Sequence, residues 1–167
     1  TVDKLIEWID EQISKCRGRT IPILMTDLND GMGRTKTSGG RIAKIKSTAV
    51  GRWGTVEHIK AGAGELLIKL LEKLKMVVLN SLYKYQSTWF GDGCCSVVDY
   101  VCVPGGLIDA VVKFTTLMNQ GRRLQLIRTK ARRDHVPVFM KIRCKLCFKE
   151  EKKEDEDACD VRWDMDA

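Results

Sequence analysis

The chain has 167 residues, which is enough for one globular domain with a hydrophobic core and too few for two. Apolar residues make up 44% of it and charged residues 31%, a composition that is ordinary for a globular protein. The sequence contains no apolar run of the roughly 18 residues that a membrane-spanning helix needs, so it predicts no such helix.

The seven cysteines do not form the pattern of a secreted disulfide framework. Their number is odd, and Cys94 and Cys95 are adjacent in the chain. Secreted proteins more often carry an even number of spaced cysteines that pair in an oxidising compartment. Cys144 and Cys147 have the spacing of half a zinc site, but no second pair accompanies them. Cysteine usage therefore predicts an intracellular, reducing compartment.

Positive charge is concentrated in the first 148 residues. The whole chain has 29 basic and 22 acidic residues, a formal net charge of +7. Residues 149–167 hold four basic and nine acidic residues, which leaves 25 basic and 13 acidic residues, a net +12, in 1–148. A basic domain favours a polyanionic partner such as nucleic acid. The sequence predicts a domain over 1–148 and a charged, disordered tail over 149–167.

The first predicted elements are a helix, a strand and a long loop. Apolar residues recur at three- and four-residue spacing over 2–15, which predicts an amphipathic helix. The apolar run 21–25 predicts a buried strand. Residues 31–56 hold six glycines, six basic residues and no acidic residue, which predicts a long loop of functional importance.

The remainder of the domain is predicted to be one helix followed by several strands. The helix covers 63–75, where leucines recur at helical spacing. The predicted strands are 76–82, 87–90, 96–103, 122–129 and 136–146. This order predicts an α/β fold with one mostly antiparallel sheet backed by helices.

Polar residues stand at the ends of three predicted strands. They are Asp27 with Asn29, then Asp99, then Asp134 with His135. Carboxylates that orient a histidine and hold a hard cation are what a metal-assisted phosphodiesterase requires. The same residues also suit structural roles, since Asn favours turns and an Asp–His pair can simply begin a strand.

Three segments resemble motifs of the endonuclease/exonuclease/phosphatase superfamily. "ILMTDLND" (23–30) resembles its strand and Asp-x-Asn motif. "STWF" (87–90) and "SVVDYVCVP" (96–104) resemble its Thr-Trp element and Asp-Tyr strand, and "RRDHVPV" (132–138) resembles its terminal Ser-Asp-His motif. The motifs occur in the family's order over roughly residues 2–143. Within that superfamily, the motifs resemble those of the apurinic-like endonuclease domains of non-LTR retrotransposons.

The resemblance implies roles for five residues. His135 would contact the scissile phosphate, and Asp99 would orient its ring. Asp27 would position or deprotonate the attacking water, and Asn29 would bind a phosphate oxygen. Asp134 would help to hold the Mg²⁺ cofactor.

The resemblance also implies DNA as a partner. The basic residues expected to contact it lie in two segments and are Arg34, Lys36, Arg41, Lys44, Lys46, Arg122, Arg123, Arg132 and Arg133.

The family fold is a four-layer α/β sandwich of two sheets, and this chain, which begins at Thr1, corresponds to its C-terminal half. We therefore expect another chain, or a missing N-terminal half, to cover an open sheet face. The alternating residues Val136, Val138 and Met140 are expected to lie on that face.

Departures from the family pattern predict that the chain is inactive by itself. Arg133 stands where the family usually has Ser, and Thr26 where it has Gly. The expected function is a half-domain resembling a Mg²⁺-dependent DNA endonuclease. The alternatives are a structural or interaction subunit of a larger assembly, and a basic module that binds nucleic acid without cleaving it.

Overall fold

The computed structural model describes residues 2–16, 18, 20–36, 39–56, 62–84, 87–91, 94–124 and 134–143. Within these ranges the fold is a mixture of helices and mostly antiparallel strands, which confirms the predicted α/β class. No helix there is long and apolar enough to cross a membrane. The predicted tail, 149–167, lies outside the described residues.

Two long helices pack together on one side of the fold, as their periodicity predicts. Their apolar faces meet in a core that includes Ile9, Leu67 and Leu71. The helices of the described ranges are α1 (Val2–Ser14), α2 (Ala63–Lys73), α3 (Leu79–Leu82) and α4 (Met118–Leu124), with a 3-10 helix at Gly105–Ala110.

The strands do not form the single sheet that the sequence predicts. They are β1 (Leu24–Asp27), β2 (Gly33–Lys36), β3 (Ile42–Lys44), β4 (Thr55–Val56), β5 (Met76–Val78), β6 (Trp89–Gly91), β7 (Cys94–Ser96), β8 (Asp99–Pro104), β9 (Val111–Thr116), β10 (Asp134–His135) and β11 (Val138–Ile142). In the described ranges they form four separate sheets, ordered β1-β8-β5, β10-β6-β7, β11-β9 and β3-β2-β4. Most of these strands have only two to four residues, too few to extend one continuous hydrogen-bonded ladder.

The central strand β8 explains where the core lies. Successive side chains of a strand point to opposite faces. Tyr100 and Cys102 therefore face the core formed with α1 and α2. Val101 and Val103 face the other way, into a second apolar cluster formed with β9 and β11.

The second cluster corrects the prediction of a bare face at Val136, Val138 and Met140. Val138 and Met140 pack against the buried side chains of β8. Val136 is buried and fits directly against Gly121, where a methyl group would lie 3.1 Å from its Cγ2. These residues are covered by other parts of the same domain.

Residues 31–56 are not a loop, because they contain β2, β3 and β4. Gly33 begins β2 with a positive φ of 94°, which glycine adopts without strain. Its carbonyl accepts a hydrogen bond from Ile45 N at 2.9 Å, which continues the pairing of β2 with β3 by one residue. The many glycines and basic residues of 31–56 favoured the prediction of a loop. Strands of only two to four residues leave too short an alternating pattern to contradict it.

Three other predicted strands are wrong in part. Residues 76–82 divide into β5 and the short helix α3. Residues 96–103 divide at Val97–Val98 into β7 and β8. Residues 122–124 belong to α4, and 125–129 lie outside the described residues.

Candidate functional site

The pairing of β1 with β8 brings two predicted carboxylates to one edge of a sheet. The strands are antiparallel, and Asp27 lies directly opposite Asp99. Asp27 is the last residue of β1, and Asp99 is the first of β8. Side chains opposite each other in such a pair lie on the same face about 5 Å apart, so both carboxylates reach one site.

Histidine 135 reaches this site from a different sheet. It lies in β10 opposite Trp89 of β6, and the next residue, Val136, donates its N–H to Thr88 O at 2.6 Å. His135 Nδ1 lies 2.9 Å from Asp99 Oδ2 and 3.1 Å from Oδ1. Because an ionised carboxylate only accepts hydrogen bonds, the proton of this bond lies on Nδ1. The other ring nitrogen, Nε2, is then directed away from Asp99.

Two buried polar residues, which the motif comparison did not assign to the site, hold the backbone of Asp99. Thr88 Oγ1 accepts hydrogen bonds from the N–H groups of Val98 and Asp99, both at 3.0 Å. Asn80 Nδ2 donates to Asp99 O at 3.0 Å, and Asn80 Oδ1 accepts from Val101 N at 3.0 Å. In the sequence, Thr88 belongs to the segment that resembles the family's Thr-Trp element, and Asn80 is a polar residue inside an apolar run.

Asp27 is positioned by a local turn. Its Oδ1 accepts a hydrogen bond from Asn29 N at 3.2 Å, and Asn29 has a left-handed φ of 53°. Asn tolerates that conformation better than most residues, which explains its place after Asp27 and Leu28. Asp27 Oδ2 lies 3.8 Å from His135 Nε2. The side chain of Asn29 is exposed beside this pair.

Hydrogen bonds of Tyr100 and Asp30 hold the loop that follows Asn29 in place. The Tyr100 hydroxyl contacts Asp30 O at 2.9 Å, Val97 O at 2.8 Å and Thr55 Oγ1 at 2.8 Å. Burial raises the pKa of this phenol, so it stays protonated and available as a donor. The buried Asp30 carboxylate accepts from the N–H groups of Gly31 and Gly64, which joins the loop to the start of α2.

The structure thus brings together three of the four predicted catalytic residues and places the fourth beside them. The side chains of Asp27, Asp99 and His135 are 44%, 25% and 39% exposed. A solute can therefore reach all three. An imidazole whose Nδ1 is held by a carboxylate can transfer a proton or contact an anionic group through Nε2.

The same three residues do not by themselves suit Mg²⁺. One ligand atom from each lies within 4.8 Å of the others. Mg²⁺ requires oxygen ligands, however, and both oxygens of Asp99 are engaged by His135. Asp27 is left as the carboxylate of this cluster that could bind the ion. Asp134, the predicted metal ligand, lies in β10 opposite Phe90, and its side chain is outside the described part of the chain.

Predicted nucleic-acid contacts fall mainly on the β2–β3 hairpin. Arg34 is half-buried, and Lys36, Arg41, Lys44 and Lys46 are exposed. Arg123 is exposed on α4. Arg132, Arg133 and the side chain of Arg122 lie outside the described residues.

Comparison with protein-family models, curated proteins and solved structures gives no match to this chain. The family relationship based on the three motifs stays a prediction.

Proposed function

We propose that this chain provides the histidine–carboxylate part of a phosphodiesterase site that acts on DNA, within half of a four-layer α/β sandwich. The observation that carries the proposal is the contact of His135 Nδ1 with Asp99 at 2.9 Å. This contact fixes the ring, with Nε2 at 3.8 Å from Asp27 Oδ2. The arrangement brings together residues of three strands, β1, β8 and β10.

Each residue has a step that its position supports. His135 Nε2 contacts the phosphate that is attacked, and Asp99 fixes the ring and stabilises positive charge on it. Asp27 accepts a proton from, or positions, the attacking water. The Asn29 amide binds a phosphate oxygen.

Full activity of such a site needs a cation that the described residues do not hold well. Bound Mg²⁺ would supply positive charge to the phosphate during the reaction. Asp27 is the one carboxylate of the cluster that is not hydrogen-bonded to His135, so further oxygen ligands must come from outside the described residues or from another chain. We therefore expect the isolated chain not to nick DNA.

Phosphodiester binding can be tested without catalysis. We expect thymidylyl-thymidine, which contains one phosphodiester, to shift the imidazole NMR signals of His135. His135→Ala, which removes the signal of that ring, assigns the shifted signal to one of the chain's two histidines. An unchanged His135 spectrum at saturating dinucleotide would reject the proposal.

A plasmid-nicking assay with Mg²⁺ or Mn²⁺ addresses cleavage. We expect no nicking by the isolated chain. Nicking that disappears in His135→Ala would show that the chain is sufficient by itself. Nicking that persists in His135→Ala would place the chemistry at a different site.

A different observation favours the alternative, a structural or interaction subunit. Ile21, Ile23 and Met25 alternate along the segment that leads into Asp27, and their exposed fractions are 54%, 40% and 66%. Such a strip of apolar side chains is more typical of a covered surface than of a free one. Its test is the sedimentation experiment described in the Discussion.

A further inference from the structure

A cleft lies between the β3-β2-β4 sheet and the edge strand β7. Its volume is about 250 Å³, and its lining includes Arg34, Thr55, Cys95 and Ser96. We infer that this cleft binds one nucleotide of a DNA strand, with Arg34 on the phosphate, while the strand extends to His135. The inference rests on the proposed function, which provides the phosphate at His135.

The pairing of strands gives the separation between the cleft and the histidine. His135 lies opposite Trp89, and Trp89 lies opposite Ser96 on its other side. Neighbouring strands are about 4.8 Å apart, so Ser96 lies roughly 10 Å from His135 across this sheet. Successive nucleotides of one strand advance by about 3.4 Å along a DNA axis. The cleft therefore lies at most about three nucleotides from the phosphate at His135, because an unstacked strand advances further per nucleotide.

The chemistry of the cleft suits a phosphate. Arg34 Nη2 makes one long hydrogen bond, 3.5 Å to Arg52 O. Among the described residues, no carboxylate forms an ion pair with Arg34. A half-buried guanidinium of this kind can bind a phosphate through two parallel hydrogen bonds. Ser96 adds a hydroxyl group on the opposite wall.

The neighbouring charges provide a second, independent argument for an anionic ligand. Arg34 lies directly opposite Lys44 in the β2–β3 pair. Lys36, two residues along β2, projects from the same face. Like charges opposite each other destabilise a sheet. Residues 31–56 contain no acid, and the acidic residue that lines a pocket with Lys44 is Glu72 of α2, whose Oε1 accepts a hydrogen bond from Thr48 N. A bound polyanion removes this repulsion.

The size of the cleft limits the ligand to a small unit. Sites for larger organic ligands typically have about 300–1,000 Å³. A volume of about 250 Å³ admits a sugar-phosphate or a base rather than a whole cofactor. This favours a single strand that is held one nucleotide at a time.

Fluorescence anisotropy with single-stranded DNA tests the inference. We expect Arg34→Gln to weaken binding of an eight-nucleotide strand at least tenfold and to lower the salt-dependence slope by about 0.7, the loss of one phosphate contact. Binding of thymidylyl-thymidine at His135 should not change, because its single phosphate cannot occupy the His135 site and contact Arg34 at the same time. Lys113→Gln, an equal change of charge on exposed β9, should stay within twofold of wild type. Equal losses in both variants, or an equal loss with the dinucleotide, would overturn the inference.

A footprinting experiment needs no change in the cleft itself. In a Cys94→Ser background, the eight-nucleotide strand should slow iodoacetamide alkylation of Cys95 by at least fivefold, measured by mass spectrometry. Cys16, an exposed thiol after α1, is the control and should react at the same rate with and without DNA. Alkylation of Cys95 at the same rate with and without DNA would reject the subsite. Protection of Cys95 by heparin, a polyanion without nucleotides, to the same extent as by DNA would also reject it. Protection of Cys95 without any shift of His135 would reject the proposed function and retain the subsite.

Discussion

At the scale of single residues, Asp99 is the most constrained member of the site. Its carboxylate contacts His135, its N–H is bound by Thr88, and its carbonyl is bound by Asn80. Thr88 and Asn80 are buried and hold Asp99, and Thr88 O also accepts the N–H of Val136, the residue after His135. The geometry of the site therefore depends on two residues that no ligand touches.

Replacing Thr88 tests this dependence. Thr88→Val keeps the shape but removes the acceptor for two N–H groups, Val98 N and Asp99 N. Leaving one buried donor unpaired costs about 1–3 kcal/mol, so for two donors we expect a loss of about 2–6 kcal/mol in the free energy of unfolding. Urea denaturation measures it. Thr88→Ser retains the hydroxyl and should lose only about 1 kcal/mol; equal losses would contradict the role given to the oxygen.

Titration of the Cys102 thiol makes the free energy of unfolding depend on pH in the alkaline range. Burial raises the pKa of its thiol from 9.0 to about 12. The folded protein keeps a proton that the unfolded chain releases above pH 9, so this contribution is complete below pH 9 and is lost as pH rises toward 12. Between pH 8 and pH 10 the loss is about 1.4 kcal/mol, at about 1.4 kcal/mol per pKa unit.

The matched variant is Cys102→Ala, which has no thiol to titrate. In urea titrations at pH 8 and pH 10, wild type should lose about 1.4 kcal/mol more than Cys102→Ala does. Tyr100, whose pKa burial also raises, remains in both proteins and cancels in the comparison. The same slope in both proteins would mean that the thiol is not the titrating group.

At the scale of elements, the β3-β2-β4 sheet fixes the positions of basic side chains in the segment 31–56. A loop would spread its cations over many conformations, whereas paired strands hold Arg34 and Lys44 side by side. The sheet also forms one wall of the cleft beside β7. Binding of an anion at fixed positions costs less conformational entropy when the cations are already in place.

Gly33 is the residue on which this sheet depends. A methyl group there would lie 2.3 Å from Val50 Cγ1, and the φ of +94° is strained for any other residue. We expect Gly33→Ala to lower the free energy of unfolding by more than about 2 kcal/mol. Gly39→Ala is the control, because nothing lies within 4 Å of its added methyl group, and it should change stability by less than about 0.5 kcal/mol. Thermal unfolding followed by circular dichroism compares the two, and similar midpoints would argue against an ordered sheet.

At the scale of the whole molecule, one side of β1 lacks a cover in the described structure. β1 is an edge strand of its sheet. Ile23 and Met25 share a face with Asp27, because they alternate with the inward-facing residues of the strand. An apolar edge beside the site is where a second sheet, a partner or another copy would bind.

We expect the isolated chain to self-associate through this strip. In sedimentation velocity, wild type should show species larger than a monomer at micromolar concentration. The double variant Ile23→Lys/Met25→Lys should sediment mainly as a monomer, because two charges oppose burial of the strand. Ile42→Lys, a change at an exposed apolar residue of β3, should behave like wild type. A monomeric wild type would contradict the expectation and weaken the case for an interaction subunit.

The sequence by itself determined α1, α2, the buried strand β8 and the polar residues at strand ends. Each of these is local: helical spacing, a continuous apolar run, and an Asp or His where that run begins or ends. It therefore predicted Asp27, Asp99 and His135 as members of one site, by order and residue type, without any measure of their separation.

Only the tertiary structure decided how the strands pair, and this has a physical reason. Short strands are stabilised by the neighbour to which they hydrogen-bond, which can be distant in the chain and leaves no local pattern. The register of β1 on β8 places Asp27 opposite Asp99, and the pairing of β10 with β6 brings His135 to 2.9 Å from that carboxylate. The same long-range pairings turned residues 31–56 into a sheet, buried Val136 and gave Thr88 and Asn80 their places behind Asp99.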